Sequence, residues 1–298
     1  MNFKVNECTR RYACARTGLS ASGVSRRFCI VGGALLIILA VIAQPSLAAT
    51  INYGDHMGTT VTYVGVTESS GTDAVPLFGP PTVTGDSIDF NPIGFDAASA
   101  DGGADITDGQ LTFMVEAKPG PNGMVGISFN EAGITQLAGN VAAGDLSTAT
   151  MVRAAGVLDV HEVDFVPINN ISVPFFLTFN PSNGDYFLGT DGGGGPLYFT
   201  DWSGSTNINL LQVLFDAGVR RTFGVTKLSV NLDNVLVATS QDGTSSLISK
   251  KDFGGLSITV QTPGGGGGPD IPEPTTFALA GLGILGALLG RRHGRDAK

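Results

Sequence analysis

Residues 59–66 read Thr-Thr-Val-Thr-Tyr-Val-Gly-Val. Polar threonines alternate there with valine and tyrosine, the period-two pattern of a half-buried β-strand built from β-branched and aromatic residues. Working outward, Gln110–Ala117, Met124–Phe129 and Met151–Phe165 are also β-rich runs, separated by Gly, Asn, Asp and Pro. Ile171–Phe179 is strongly apolar but carries Pro174, which lacks a ladder donor and so predicts an edge strand or a bulge. Thr222–Thr239 predicts two strands about a turn near Asp233-Asn234, and Leu247–Lys250 and Leu256–Gln261 close the series. One helix is expected over Asn207–Ala217, with a polar N-cap, apolar Ile208, Leu211, Leu214 and Phe215, and Gly218 as C-cap. Many short strands at near-regular spacing predict an all-β, jelly-roll-like two-sheet sandwich with one short helix.

The charge is divided along the chain. Residues 1–48 carry six Lys/Arg against Glu7; residues 49–270 carry seven against 23 Asp/Glu; residues 271–298 carry four against two. The acidic middle repels nucleic acid and anionic lipid, and attracts divalent cations. Cys8, Cys14 and Cys29 all lie in the first 48 residues, so the middle has no disulfide, thiolate nucleophile or cysteine zinc site.

The ends read as addresses. Lys4, Arg10, Arg11, Arg16, Arg26 and Arg27 precede an apolar run from Phe28 to Ala43, and Ser46-Leu47-Ala48 offers the small residues that signal peptidase requires. Residues 1–48 are therefore expected to be a signal peptide read by the Sec translocon and cut after Ala48 or Ala49; an uncleaved anchor helix is the alternative. The expected ectodomain spans 49–261. A glycine-rich linker, 262–270, contains five consecutive glycines between Pro263 and Pro269 and cannot pack a core. Then come Ile271-Pro272-Glu273-Pro274, an apolar run from Thr275 to Gly290, and Arg291-Arg292. A helix over 275–290 would be about 24 Å long at 1.5 Å per residue. With flanking side chains snorkelling, that approaches a bilayer core of roughly 30 Å. The arginines are expected on the cytoplasmic side.

Residues 271–298 resemble the PEP-CTERM sorting signal of Gram-negative bacteria, through Pro272-Glu273-Pro274, the Gly/Leu/Ala-rich helix and the Arg291-Arg292 pair. The resemblance implies recognition and cleavage by an exosortase, transient anchorage in the inner membrane, and passage to the cell surface or an exopolysaccharide matrix. The middle is similar to an uncharacterised group of ectodomains carrying this tail, notably in planctomycetes, through Asp89-Phe90-Asn91-Pro92, Asp105–Leu111 and Lys250–Leu256. That similarity implies no activity.

Chemistry in the middle is sparse. In Asp159–Asp164, strand alternation puts Asp159 with His161 on one face and Glu162 with Asp164 on the other. His161-Glu162 has no second histidine four positions after the first, as a zincin helix requires, and no Gly-x-Ser-x-Gly elbow is present. Glu116, Glu131 and Glu162 are the strand-region glutamates from which a glycan hydrolase could draw a carboxylate pair. Asp101, Asp105 and Asp108 lie in an Asp/Gly segment whose oxygens suit Ca2+, or alternatively an Asx-bonded turn. Asp185 and Asp191, beside Gly192–Gly195, form a weaker case of the same kind. Tyr198 and Trp202, four apart on one strand face, could stack on sugar or simply fill the core. The expectation is a non-enzymatic surface or matrix protein, with a carbohydrate-binding module or a secreted glycan-active hydrolase as alternatives.

Overall fold

A computed structural model describes residues 49–120, 123–251 and 255–263. The signal segment, most of the linker and the sorting tail, including Ala48, Pro272, Glu273, Pro274, Arg291 and Arg292, lie outside the described residues. Among those described, no helix is long and apolar enough to cross a membrane.

In chain order the strands are β1 (Ala49–Met57), β2 (Val61–Ser70), β3 (Thr82–Thr84), β4 (Ser87–Phe90), β5 (Asp96–Ala100), β6 (Ala104–Ala117), β7 (Gly126–Ala138), β8 (Ala149–Val163), β9 (Val166–Phe176), β10 (Thr178–Asn180), β11 (Asp185–Phe187), β12 (Leu197–Asn209), β13 (Val225–Thr239), β14 (Ser245–Lys250) and β15 (Leu256–Gln261). They form two antiparallel sheets facing each other across one core. The first runs β1-β2-β6-β13-β8, and the far edge of β8 is divided between β9 and β11. The second runs β10-β12-β7. The other edge of β7 is divided between β15, which continues to β4 and β3, and β14, which continues to β5. The core is filled by inward residues of both sheets, among them Leu111, Phe113, Leu158, Leu228, Leu232, Ile127, Phe129, Ile248 and Ile258. Burying each such side chain contributes roughly 1.5–3 kcal/mol.

Pro174 lies on β9, an edge strand, as its missing donor requires. The run containing it then changes sheets: β9 pairs β8 in the first sheet, and β10, one residue later, pairs β12 in the second.

Three expected local features are corrected. Thr222–Thr239 holds one strand, β13, which begins at Val225 and has no turn at Asp233-Asn234. Alternation runs unbroken through Leu232, Asn234 and Leu236, all buried. Asn234 stays in the strand because the core supplies it with a polar partner. Met151–Phe165 is also shortened: β8 ends at Val163, and Asp164 and Phe165 take φ of 54° and 62° in a two-residue hairpin turn to β9. Positive φ at both positions matches the right-handed twist of the flanking strands. The helix, α1 (Leu210–Asp216), starts later than expected because β12 continues to Asn209; the Asn209 side chain accepts the Gln212 N–H as N-cap.

Two bulges reset which side chains face inward. In β2 the register shifts between Val64 and Thr67, where Gly65 takes φ +64°. Inward positions become Val61, Tyr63, Val66 and Glu68. In β8 the register shifts between Val160 and Glu162, so His161 and Glu162 are both turned out of the core. The expectation that these two occupy opposite faces fails for that reason.

Candidate functional site

The outer face of the β6-β13-β8-β9 sheet carries a charged and polar cluster around Lys227. Lys227 is paired across the ladder with Glu116 on one side and Glu162 on the other. Its ammonium lies 2.8 Å from Glu116. That hydrogen bond raises the Lys227 pKa against the opposing effect of desolvation, with charge from Glu116 and Glu162 adding to the rise. His161 bridges Asn170 at 3.0 Å and Ser229 at 2.9 Å. The two outward glutamates thus have a cation between them. Glu131 lies in the core of the sandwich, so the three strand glutamates do not converge.

The Asp/Gly segment is held by backbone N–H and hydroxyl bonds. Asp101 accepts from the Gly243 N–H, Asp105 from the Ala98 N–H, and Asp108 from Ser70, Gly71 and Thr72. Burial pushes the Asp108 pKa up, but the bonds from Thr72, Gly71 and Ser70 together hold it below the usual value. Asp105 and Asp108, three apart on β6, point to opposite faces. Among the described residues, no group of three or more His, Cys, Asp or Glu side chains is arranged to hold a metal ion. Asp185 pairs with Arg153, and Asp191 accepts the Phe187 N–H.

Trp202 and Tyr198 do share a face of β12, and it is the inward one. Trp202 is 2% exposed and its indole N–H donates to the Ile134 carbonyl at 3.1 Å. Its ring lies over Gly133, where a Cβ would come within 2.0 Å of Cζ2. Phe179 meets it edge-on at 5.8 Å. Trp202 therefore packs the core instead of offering a sugar-stacking face, and Tyr198 is half-buried beside the same core.

The least ordinary chemistry is inside the sandwich. Lys250, the last residue of β14, faces inward in register with Ser246 and Ile248. Its Nζ donates to Asn234 Oδ1 at 2.7 Å and lies 2.8 Å from Glu131 Oε2. The side chains of Lys250 and Glu131 are fully buried, and Asn234 is 0% exposed. The ammonium lies 5.1 Å from the Phe95 ring, 5.7 Å from Phe78 and 5.9 Å from Trp202. Neither Glu131 oxygen nor Asn234 Nδ2 has a hydrogen-bond partner in good geometry, so for Glu131 the ammonium is an ion-pair contact only. Desolvation pulls the Lys250 pKa down, opposed by the charge of Glu131.

Sequence reading singled out Glu131 for the wrong purpose and missed Lys250 and Asn234. The available signal was alternation: Ile248 and Lys250 share a strand face, so an inward isoleucine implies an inward lysine. Glu68 was missed too. The β2 bulge turns it inward, where it accepts the backbone N–H groups of Leu77 and Phe78 and the Tyr53 hydroxyl.

Fold and site together define an all-β sandwich with a buried polar knot in its core. Residues 270–293 match the PEP-CTERM protein-sorting motif. The chain thus carries the tail of an exported protein that is held at a membrane and handled by an exosortase. No curated protein is similar enough to count as a relative. Among solved structures, TmCBM61 in complex with β-1,4-galactotriose is 9% identical, with 73% of this chain and 90% of that one covered and a TM-score of 0.16. Infectious bursal disease virus Gt strain is 10% identical over 74% of this chain and 60% of that one, at 0.08. The VP2 subviral particle of infectious bursal disease virus is 9% identical over 70% and 53%, at 0.09. Likenesses this slight carry no argument about ligand or activity.

Proposed function

We propose that the mature domain is a non-enzymatic component of the cell surface or extracellular matrix. It is exported through Sec, held in the inner membrane by residues 275–290, and released to an exopolysaccharide-rich exterior after exosortase cutting near Pro272-Glu273-Pro274. The sorting motif carries the reading. The use of the domain's acids supports it. Glu68 and Asp86 are buried and spent on backbone N–H groups and hydroxyls, and Asp164 caps the Thr222–Gly224 backbone. Two surface concavities, of about 390 and 790 Å3, are lined by small, apolar and amide residues and contain no Asp, Glu or His. Paired carboxylates for glycoside hydrolysis would have to face one another across such a cleft.

The test is terminal mass spectrometry of the protein recovered from membrane and surface fractions, with and without the host's exosortase. The expected result is a surface form starting near Ala49 or Thr50 and lacking Arg291-Arg292. Without exosortase, the tail should stay attached and the protein should remain in the membrane. An intact Arg291-Arg292 terminus on surface material would overturn the processing route. Polysaccharide association is read separately by co-sedimentation with the matrix; free protein in all washes would remove it.

A further inference from the structure

A primary amine, a carboxamide and a carboxyl group meet in a pocket walled by Phe78, Phe95 and Trp202. These are the reactants and the proton carrier for making an amide bond. We propose that Lys250 and Asn234 become covalently joined inside the folded domain, side chain to side chain, with Glu131 moving the protons.

The geometry is close to that of attack. Nζ is 2.7 Å from Oδ1. The carbonyl carbon is about 1.23 Å further along the C=O bond, so Nζ lies within about 3.9 Å of Cγ. A rotation of the amide about its last bond brings this to the near-attack range of about 3–3.5 Å. The ion pair at 2.8 Å sets Glu131 Oε2 to take a proton from the ammonium, leaving neutral amine. Burial favours that transfer, because desolvation acts against the charged lysine. The amine lone pair then attacks Cγ and the carbonyl π pair moves to Oδ1. Glu131 delivers its proton to the amide nitrogen as the Cγ–Nδ2 bond breaks, and the carboxylate so freed takes the second amine proton. Lysine amine and asparagine carboxamide become a secondary amide plus ammonia. The remaining proton stays on Glu131 or leaves with ammonia as ammonium. No oxidant or external reagent enters the balance.

The surroundings supply the driving force. A buried ion pair carries a desolvation cost that its attraction often fails to repay, and a buried donor without a partner adds to it. The reaction removes the lysine charge and expels the unpartnered Nδ2 group. The aromatic walls exclude the water that would otherwise solvate the ammonium or hydrolyse the intermediate. The product ties β13 of one sheet to β14 of the other, closing a loop between residues 16 apart.

The test is a peptide map of the full chain, cut before aspartates. Cleavage before Asp233, Asp242 and Asp252 separates 233–241 from 242–251. The expected product is one branched species containing both peptides, lighter than their sum by one ammonia, with Lys250 resistant to amine labelling. Cyclisation of Asn234 to a succinimide expels ammonia and loses the same mass, but leaves the peptides separate. Two separate peptides with an intact carboxamide and a reactive Lys250, recovered from folded chain, would overturn the proposal. Glu131→Gln keeps the volume and removes the proton carrier; it is expected to yield separate peptides and a lower melting temperature. A branched product from Glu131→Gln would remove Glu131 from the mechanism. The wild-type map decides the bond itself even if that variant fails to fold.

Discussion

Two glutamates are buried in this sandwich, and they are satisfied in opposite ways. Glu68 sits behind the β2 bulge and takes two backbone N–H groups and a phenol hydroxyl. It is an anchor, fastening the Leu77-Phe78 loop to a strand. Tyr53, which donates to it, is pushed upward in pKa by burial and then by that bond and charge. Glu131 sits among aromatic rings with one ammonium and no good hydrogen bond. A carboxylate held by donors is a finished structure. One held only by a neighbouring proton source is a reactant or a liability. Burial alone therefore does not define the role of an acid; the identity of its partners does.

The largest expected effect tests that contrast directly. Lys250→Met leaves Glu131 buried without its counter-charge and should cost about 3–5 kcal/mol in urea unfolding. A loss smaller than that for Glu68→Gln would break the comparison. Gly133→Ala sharpens it by pushing on the aromatic wall: the new Cβ meets Trp202 and, at 2.3 Å, the Ser249 carbonyl. Overpacking there should cost about 2–3 kcal/mol and shift the tryptophan emission. Glu68→Gln keeps the shape but loses charge-assisted bonds, for about 2 kcal/mol, without moving that emission. The smallest effect lies at the surface. For both Asp164 and Asp108, burial raises the pKa, but donated hydrogen bonds lower it more. A depressed carboxylate contributes stability above its unfolded value, 3.8 here, and loses it as pH falls through the folded one. Melting temperature should therefore drop below about pH 4, and Asp164→Asn should flatten that acid limb. A profile unchanged by the substitution would show that the cap carries no such linkage.

The fold class was legible because alternation is local. Thr59–Val66 and Leu256–Gln261 report their own burial; β2 begins at Val61 within the first, and β15 fills the second. What alternation could not show is where it slips. Gly65 in β2 and the His161-Glu162 bulge each insert one residue, and every side chain beyond them changes face. Asn234 was misread for a different reason. Asparagine next to aspartate favours turns in isolation, and only a lysine 16 residues away makes it a core residue. The knot itself is non-local: positions 131, 234 and 250 are brought together by three strands in two sheets. Trp202 was legible as a core residue; the pocket it helps to wall was not.

The placement of β15 has a mechanical consequence. It is the last described strand before the linker and tail, and it lies between β7 and β4, hydrogen-bonded on both sides. Under the proposed membrane anchorage of the tail, drag on the exterior enters the domain through Gln261. A tether on an edge hairpin would peel open one bond at a time. Along β15 the load runs parallel to the strand and is shared by both ladders at once, so the attachment point resists in shear.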